Sequence, residues 1–196
     1  MYNVILADPP WKYQFWSPAQ KGTRRAENHY EVMELQDICN LPINDMTADN
    51  CVLFMWATWP LLYESQEVIK AWGFEYKTLA WVWVKAKRSG FGFFTGMGFY
   101  TRANTEPCLL AVKGSMPVAV HDIQALIYSS IREHSRKPDE QYHKIESLYP
   151  DCNYLELFAR QERPGWDVFG NEVSNSITLP SVRCAKEASQ GCESKH

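Results

Sequence analysis

Unbroken runs of apolar residues at positions 4–6, 51–57, 79–84 and 108–112, with a further apolar stretch at 154–158 interrupted by Glu156, constrain this chain more than any other feature. A strand with one wet face alternates apolar and polar residues, whereas an unbroken run marks a strand covered on both faces. Residues 126–128, Leu-Ile-Tyr, are a weaker sixth candidate. Helical patterns fall between the runs. Thr58 is a candidate cap for a helix near Pro60, with Leu61, Leu62, Ser65, Val68, Ile69 and Trp72 along one side and Gly73 as its stop. Pro138 opens a second helix, where Asp139 and Glu140 complement the helix dipole. Tyr142, Ile145 and Leu148 form its apolar stripe and Pro150 ends it. Doubly covered strands alternating with helices predict an α/β domain with a mostly parallel sheet. The 196 residues suffice for one such domain.

Several classes of protein are set aside at this stage. No apolar run approaches the roughly 20 residues of a membrane span, and residues 1–8 turn acidic without the basic stretch of a secretory leader. The expectation is a cytoplasmic protein with no membrane partner. Six scattered Cys with no Cys-x-x-Cys pair point to reduced thiols, and no Cys/His cluster points to a metal. Two stretches, 12–30 and 86–107, read as long loops of the kind usually kept for function. Residues 174–196 are Ser-rich and free of aromatic residues. They read as a flexible tail behind a domain spanning residues 1–173.

The first apolar run ends in Asp8-Pro9-Pro10-Trp11. Ligands of open α/β sheets bind beyond the carboxyl ends of the strands, so this tetrapeptide stands where chemistry is expected. Two prolines remove two N–H donors and leave carbonyl oxygens as acceptors. Asp8 adds a carboxylate, and Trp11 a flat surface. Acceptors beside a stacking platform suit a planar heterocycle carrying an amino group, such as the exocyclic amine of adenine. Asp8 and the Pro9 carbonyl could take its two N–H bonds and free its lone pair, which is complementarity to a transition state. A base in a duplex must first flip out, at a cost of a few kcal/mol. The alternative is a strand-ending turn with an Asp cap and a packed Trp.

Further segments follow in order: His29-Tyr30-x-x-Met33, Leu53-Phe54-Met55-Trp56-Ala57-Thr58, Trp83-Val84-Lys85, and Glu106-x-Cys108-Leu109 with Lys113-Gly114. Ser135-Arg136-Lys137-Pro138-Asp139-Glu140, Glu156-Leu157-Phe158-Ala159-Arg160, Gly165-Trp166 and Gly170-Asn171-Glu172 complete the series. Together they resemble the methyltransferase-A-seventy, or DPPW, family of S-adenosylmethionine-dependent N6-adenine methyltransferases, over about residues 2–173. The resemblance implies a Rossmann-like methyltransferase sheet in permuted order, with the catalytic strand first. It implies that Asp8, Pro9 and Pro10 hold the target amine, that Trp11 flanks the base and that Tyr30 meets substrate. Lys137 would reach the carboxylate of S-adenosylmethionine. Asp8, Glu156, Phe158 and Arg160 would line the cofactor, with Asn171 and Glu172 at its adenine and ribose hydroxyls. Two departures stand out. Members nearest the mRNA enzyme cover the cofactor adenine with residues upstream of the catalytic strand, and here only seven residues precede Asp8. Residues 161–163 also differ from that enzyme's polar run, so no cofactor role is carried to them.

Net charge is only −3, which does not advertise a polyanion-binding surface. The sum conceals a contrast. From Lys77 to Lys113 six basic residues face one acid, Glu106, so this segment is +5 and the remainder −8. Its aromatic residues and glycines suit phosphate contact and base stacking. Residues 86–103, with Lys87, Arg88 and Arg102, are the candidate target-recognition loop, and Lys21, Arg24 and Arg25 form a second basic candidate. The expected partner is DNA with the adenine flipped out. RNA is the closest rival, and the oligomeric state is left open, a dimer included. An inactive scaffold subunit and a protein-amide methyltransferase are the remaining alternatives.

Overall fold

A computed structural model describes residues 1–12, 32–98, 100–133 and 135–179. Seven strands form one sheet: β1 (Tyr2–Ala7), β2 (Thr47–Trp56), β3 (Glu75–Ala86), β4 (Thr105–Lys113), β5 (Leu126–Ser130), β6 (Tyr154–Leu157) and β7 (Trp166–Phe169). Among the described residues three α-helices accompany them: α1 (Leu35–Cys39), α2 (Leu62–Ala71) and α3 (Glu140–Leu148). The strand order is β5-β3-β4-β2-β1-β6-β7. β1 pairs in parallel with β2 and β6, β6 with β7, and β3 with β5, while β4 is antiparallel to both β2 and β3. β4 is therefore the one reversed strand. The other six deliver their carboxyl ends, and β4 its amino end, to a single edge of the sheet.

The unbroken apolar runs are explained by a core on each face. Ile5, Ala7, Leu53 and Met55 join Val68, Ile69 and Trp72 of the α2 region in one cluster. Val4, Leu6, Val52 and Phe54 join Tyr142 and Ile145 of α3 in the other. Successive side chains of β1 point to opposite faces and both are buried, leaving Val4, Ile5 and Ala7 fully enclosed. No helix among the described residues is long and apolar enough to cross a membrane.

Both expected helices form, with different starts. A 3-10 turn at Trp59–Leu61 precedes α2, and the Thr58 hydroxyl does not cap it. That oxygen is buried without a hydrogen-bond partner among the described residues. Gly73, at φ +83°, ends the helix as expected. α3 begins two residues after Pro138, and Asp139 makes no side-chain cap because its carboxylate is taken by Arg132. The weak candidate at 126–128 is strand β5. The sequence pattern did not announce α1 or β7, each five residues or shorter and so without a full period to read.

The long segment after β3 is irregular as expected, and backbone bonds pin its base. Phe94 donates to the Lys85 carbonyl at 2.8 Å, and Gly96 to that of Ala103 at 2.9 Å. Past β7, Ser176 donates its amide to Val168 at 2.9 Å, and Ile177 and Leu179 lie against the first cluster. The basic triplet Lys21, Arg24 and Arg25, and residues 180–196 of the expected tail, lie outside the described residues.

Candidate active site

Asp8 is the first residue beyond β1, between the neighbouring ends of β2 and β6. The Lys137 ammonium donates to both of its carboxylate oxygens, at 2.8 and 2.7 Å. The same ammonium lies 3.4 Å from Glu106, on the reversed strand, and Glu106 is in turn paired with Lys85. The result is a row of alternating charge, Lys85–Glu106–Lys137–Asp8, in which the Lys137 side chain is only 8% exposed. Lys137 also stands 5.5 Å from the centre of the Trp56 ring. Burial pushes the Asp8 carboxyl above its ordinary range, against the pull of Lys137. For Glu106 burial acts the same way, but the two flanking ammoniums outweigh it and hold the group below its ordinary value.

From Asp8 a cleft of about 310 Å³ runs across the sheet edge, lined among others by Lys137, Glu156, Phe158, Arg160 and Glu172. Glu156 projects from β6 and is nearly enclosed. It accepts from the Tyr142 hydroxyl at 2.9 and 3.1 Å, and burial raises its pKa to about 7. Phe158, directly after β6, has φ +62°, a strained backbone for a non-glycine residue. The strain turns the chain so that Ala159 returns to the end of β7, its amide bonded to the Phe169 carbonyl at 3.0 Å. Arg160 pairs with Glu172 at 3.6 Å, not with its sequence neighbour Glu162. Asn171 lines an adjoining, more open groove of about 480 Å³, which shares Gln161 and Glu172 with the cleft.

The fold therefore gathers Asp8, Lys137, Glu156, Phe158, Arg160 and Glu172 on one cleft, with Asn171 next door. Pro9, Pro10 and Trp11 do not line it. The Pro9 carbonyl accepts from the Trp11 amide at 2.8 Å, and that of Pro10 from Met33 at 2.9 Å. Each retains a second lone pair. Trp11 departs from the open platform expected of it: the residue is 5% exposed and its indole N–H is donated to the Trp56 carbonyl at 3.2 Å. It ties the end of β1 to the end of β2. Tyr30 lies outside the described residues. Lys87, Arg88 and Arg102 are exposed on the 87–104 loop, away from the cleft wall but on the same sheet edge. Arg88 donates to the Arg132 carbonyl at 3.2 Å.

Sequence reasoning gave no role to Glu106, Lys85 or Gln161. Glu106 carried a visible signal as the lone acid among six basic residues. Gln161 carried none, yet it receives Arg136 at 2.9 Å and donates to Asp139 at 3.3 Å.

The cleft suits a zwitterionic nucleoside. Lys137 and Asp8 offer opposite charges for an amino-acid end, Phe158 an apolar wall, and Glu172 an acceptor for hydroxyls. No cluster of His, Cys, Asp and Glu among the described residues is arranged to hold a metal ion. The profile of the family described as MT-A70 matches residues 2–172. The Type II methyltransferase M.MunI of a Mycoplasma species is 34% identical over 197 residues, covering 92% of this chain and 82% of that protein. Human N(6)-adenine-specific methyltransferase METTL4 is 30% identical, with 88% of this chain matching 37% of its length. The human N(6)-adenosine-methyltransferase catalytic subunit METTL3 is 31% identical, with 88% matching 28%. The chain thus spans most of the bacterial relative and about a third of these two human ones.

Proposed function

The chain belongs to the MT-A70 family, and on that premise we propose that it transfers a methyl group from S-adenosylmethionine to the N6 amine of adenine in DNA. The observation that carries this reading is the Asp8–Lys137 pair at the head of a cleft walled by Glu156, Phe158 and Arg160. Of these residues, Lys137 would hold the carboxylate of the cofactor's amino-acid part, and Asp8 and Glu156 would favour its ammonium. Arg160, Asn171 and Glu172 would hold its ribose and adenine. When bound, S-adenosylmethionine supplies a methyl group on an electron-poor sulfonium.

Asp8 and the free lone pair of the Pro9 carbonyl accept the two N–H bonds of the target amine. This opposes delocalisation of the nitrogen lone pair into the ring and favours a tetrahedral nitrogen. Lys137 and Asp8 are paired in a partly enclosed site, so the charge that meets the amine is fixed in place before substrate arrives. Lys87, Arg88 and Arg102 take the phosphates of the strand, and Tyr30 meets the flipped base. The reading places the protein in the cytoplasm of a bacterial or phage-infected cell.

DNA is preferred because the relative covered over most of its length, M.MunI, bears the name of a type II methyltransferase. RNA is the second reading, favoured by the match to an N(6)-adenosine-methyltransferase subunit. Methyl transfer to matched DNA and RNA oligonucleotides of one sequence separates the two. In the same assay Asp8→Ala should abolish transfer while the circular dichroism spectrum is kept. A variant with near wild-type rate removes Asp8 from the mechanism, and absence of transfer to either polymer by the wild type rejects the function.

A further inference from the structure

Arg132 lies outside the cleft wall, and nothing in the reaction as described uses it. Its guanidinium nevertheless makes three hydrogen bonds around one short loop. One nitrogen donates to Asp139 at 2.6 Å. The other donates to Asp139 at 2.9 Å and to the backbone carbonyl of Lys137 at 2.7 Å. A planar fork meeting both oxygens of a carboxylate is the geometry that a guanidinium supplies and an ammonium does not. Asp139 also receives Gln161 at 3.3 Å and lies 3.6 Å from Arg136, so the fork is anchored from several sides. The clamp closes the loop from Arg132 to Asp139, in which Ser135 is held at φ +60°. A non-glycine residue in that region persists only where its surroundings hold it.

We infer that Arg132 is a positioning residue which, through its fork to Asp139 and its bond to the Lys137 carbonyl, fixes the Lys137 ammonium against Asp8. Lys137 has a long flexible stem, and an ammonium by itself imposes no direction. Its hold on Asp8 is defined by where the backbone releases it, and Arg132 sets that point. The Arg132 carbonyl meanwhile accepts from Arg88 of the 87–104 loop, so the clamp is also the seat of that loop. The consequence for the cofactor rests on the function proposed above; the consequence for Lys137 does not.

The two are separated by measuring both. Lysine acylation followed by mass spectrometry reads the accessibility of the Lys137 amine, with Lys144 as an internal reference. Lys144 is equally enclosed, at 10% side-chain exposure, and donates to the Gln124 carbonyl on another part of the fold. In Arg132→Lys, which keeps the charge and loses the fork, acylation of Lys137 should rise about tenfold relative to Lys144. Asp139→Asn, which weakens the same fork, should act in the same direction. Calorimetry on the same variant should show S-adenosylmethionine bound about tenfold more weakly. An unchanged Lys137-to-Lys144 ratio overturns the inference, as does an equal rise at both lysines, which reports general loosening. A wild-type protein that binds no S-adenosylmethionine overturns the proposed function, while the acylation ratio still decides the role of Arg132.

Discussion

Glu156 is a carboxylate taken out of water beside Asp8, with a tyrosine hydroxyl as its direct hydrogen-bond donor. The folded protein keeps a proton on it up to about pH 7, whereas an unhindered glutamate releases its proton near 4.5. Between those values the native state binds more protons than the unfolded chain, so stability falls as pH rises through the window. Below about 4.5 nothing is lost, and above about 7 the loss is complete, at about 3 kcal/mol. Glu156→Gln stays neutral and should escape that loss. Its melting temperature should match wild type in acid and exceed it at neutral pH, as followed by calorimetry across a pH series. Parallel curves would show that burial does not govern this carboxyl. At this scale the motifs name several residues that the fold gathers on one cleft. Asp8, Lys137 and Glu156 come together from positions 129 and 19 residues apart. The enclosure of Trp11 was not legible, because a flat ring beside acceptors looks the same whether its N–H faces a ligand or a backbone carbonyl. Only the register of β1 against β2 decides that it meets Trp56.

Among the elements, β3 and β4 with the loop between them carry the basic residues proposed to meet substrate. Of the six basic residues counted from Lys77 to Lys113, Lys77 pairs with Glu75, Lys85 with Glu106, and Lys113 donates to Asn44 and Thr47. Lys87, Arg88 and Arg102 are left to face solvent with no ion pair among the described residues. Changing those three to serine should weaken DNA binding and reduce the slope of log affinity against log salt by about two to three. Fluorescence anisotropy at several salt concentrations measures both. An unchanged slope would free the loop of any phosphate contact. Element type was legible where burial on both faces left unbroken apolar runs, as in β1, β2 and β4. Helix starts were less so. Thr58 and Asp139 are both good capping residues by type, but the first finds no partner among the described residues and the second is claimed by Arg132. Capping is a competition for hydrogen bonds, and the sequence does not show the competitor.

For the molecule as a whole, the outer side of β7, the last strand of the sheet, is covered by the residues beyond it. The Val168 amide donates to the Ser176 hydroxyl at 3.2 Å, that of Gly170 to the Asn175 side chain at 2.8 Å, and Ile177 and Leu179 cover apolar surface. A chain ending at Val173 should therefore melt about 6 °C below one ending at Leu179, taking roughly 2 kcal/mol for these contacts and about 3 °C per kcal/mol at this size. Equal melting temperatures would show that the segment adds nothing to the fold. The sequence had marked position 174 as a change of character because its composition changes there, and composition does not register two apolar side chains spaced to reach a core. The reversal of β4 has a different kind of consequence. Val84 and Thr105 are direct neighbours across the β3–β4 ladder, so the intervening loop leaves and re-enters the sheet about 5 Å apart. Lengthening such a closed excursion is cheap, at about 0.6 kcal/mol per doubling. The segment can thus be lengthened or exchanged like a cartridge without rethreading the sheet that carries it.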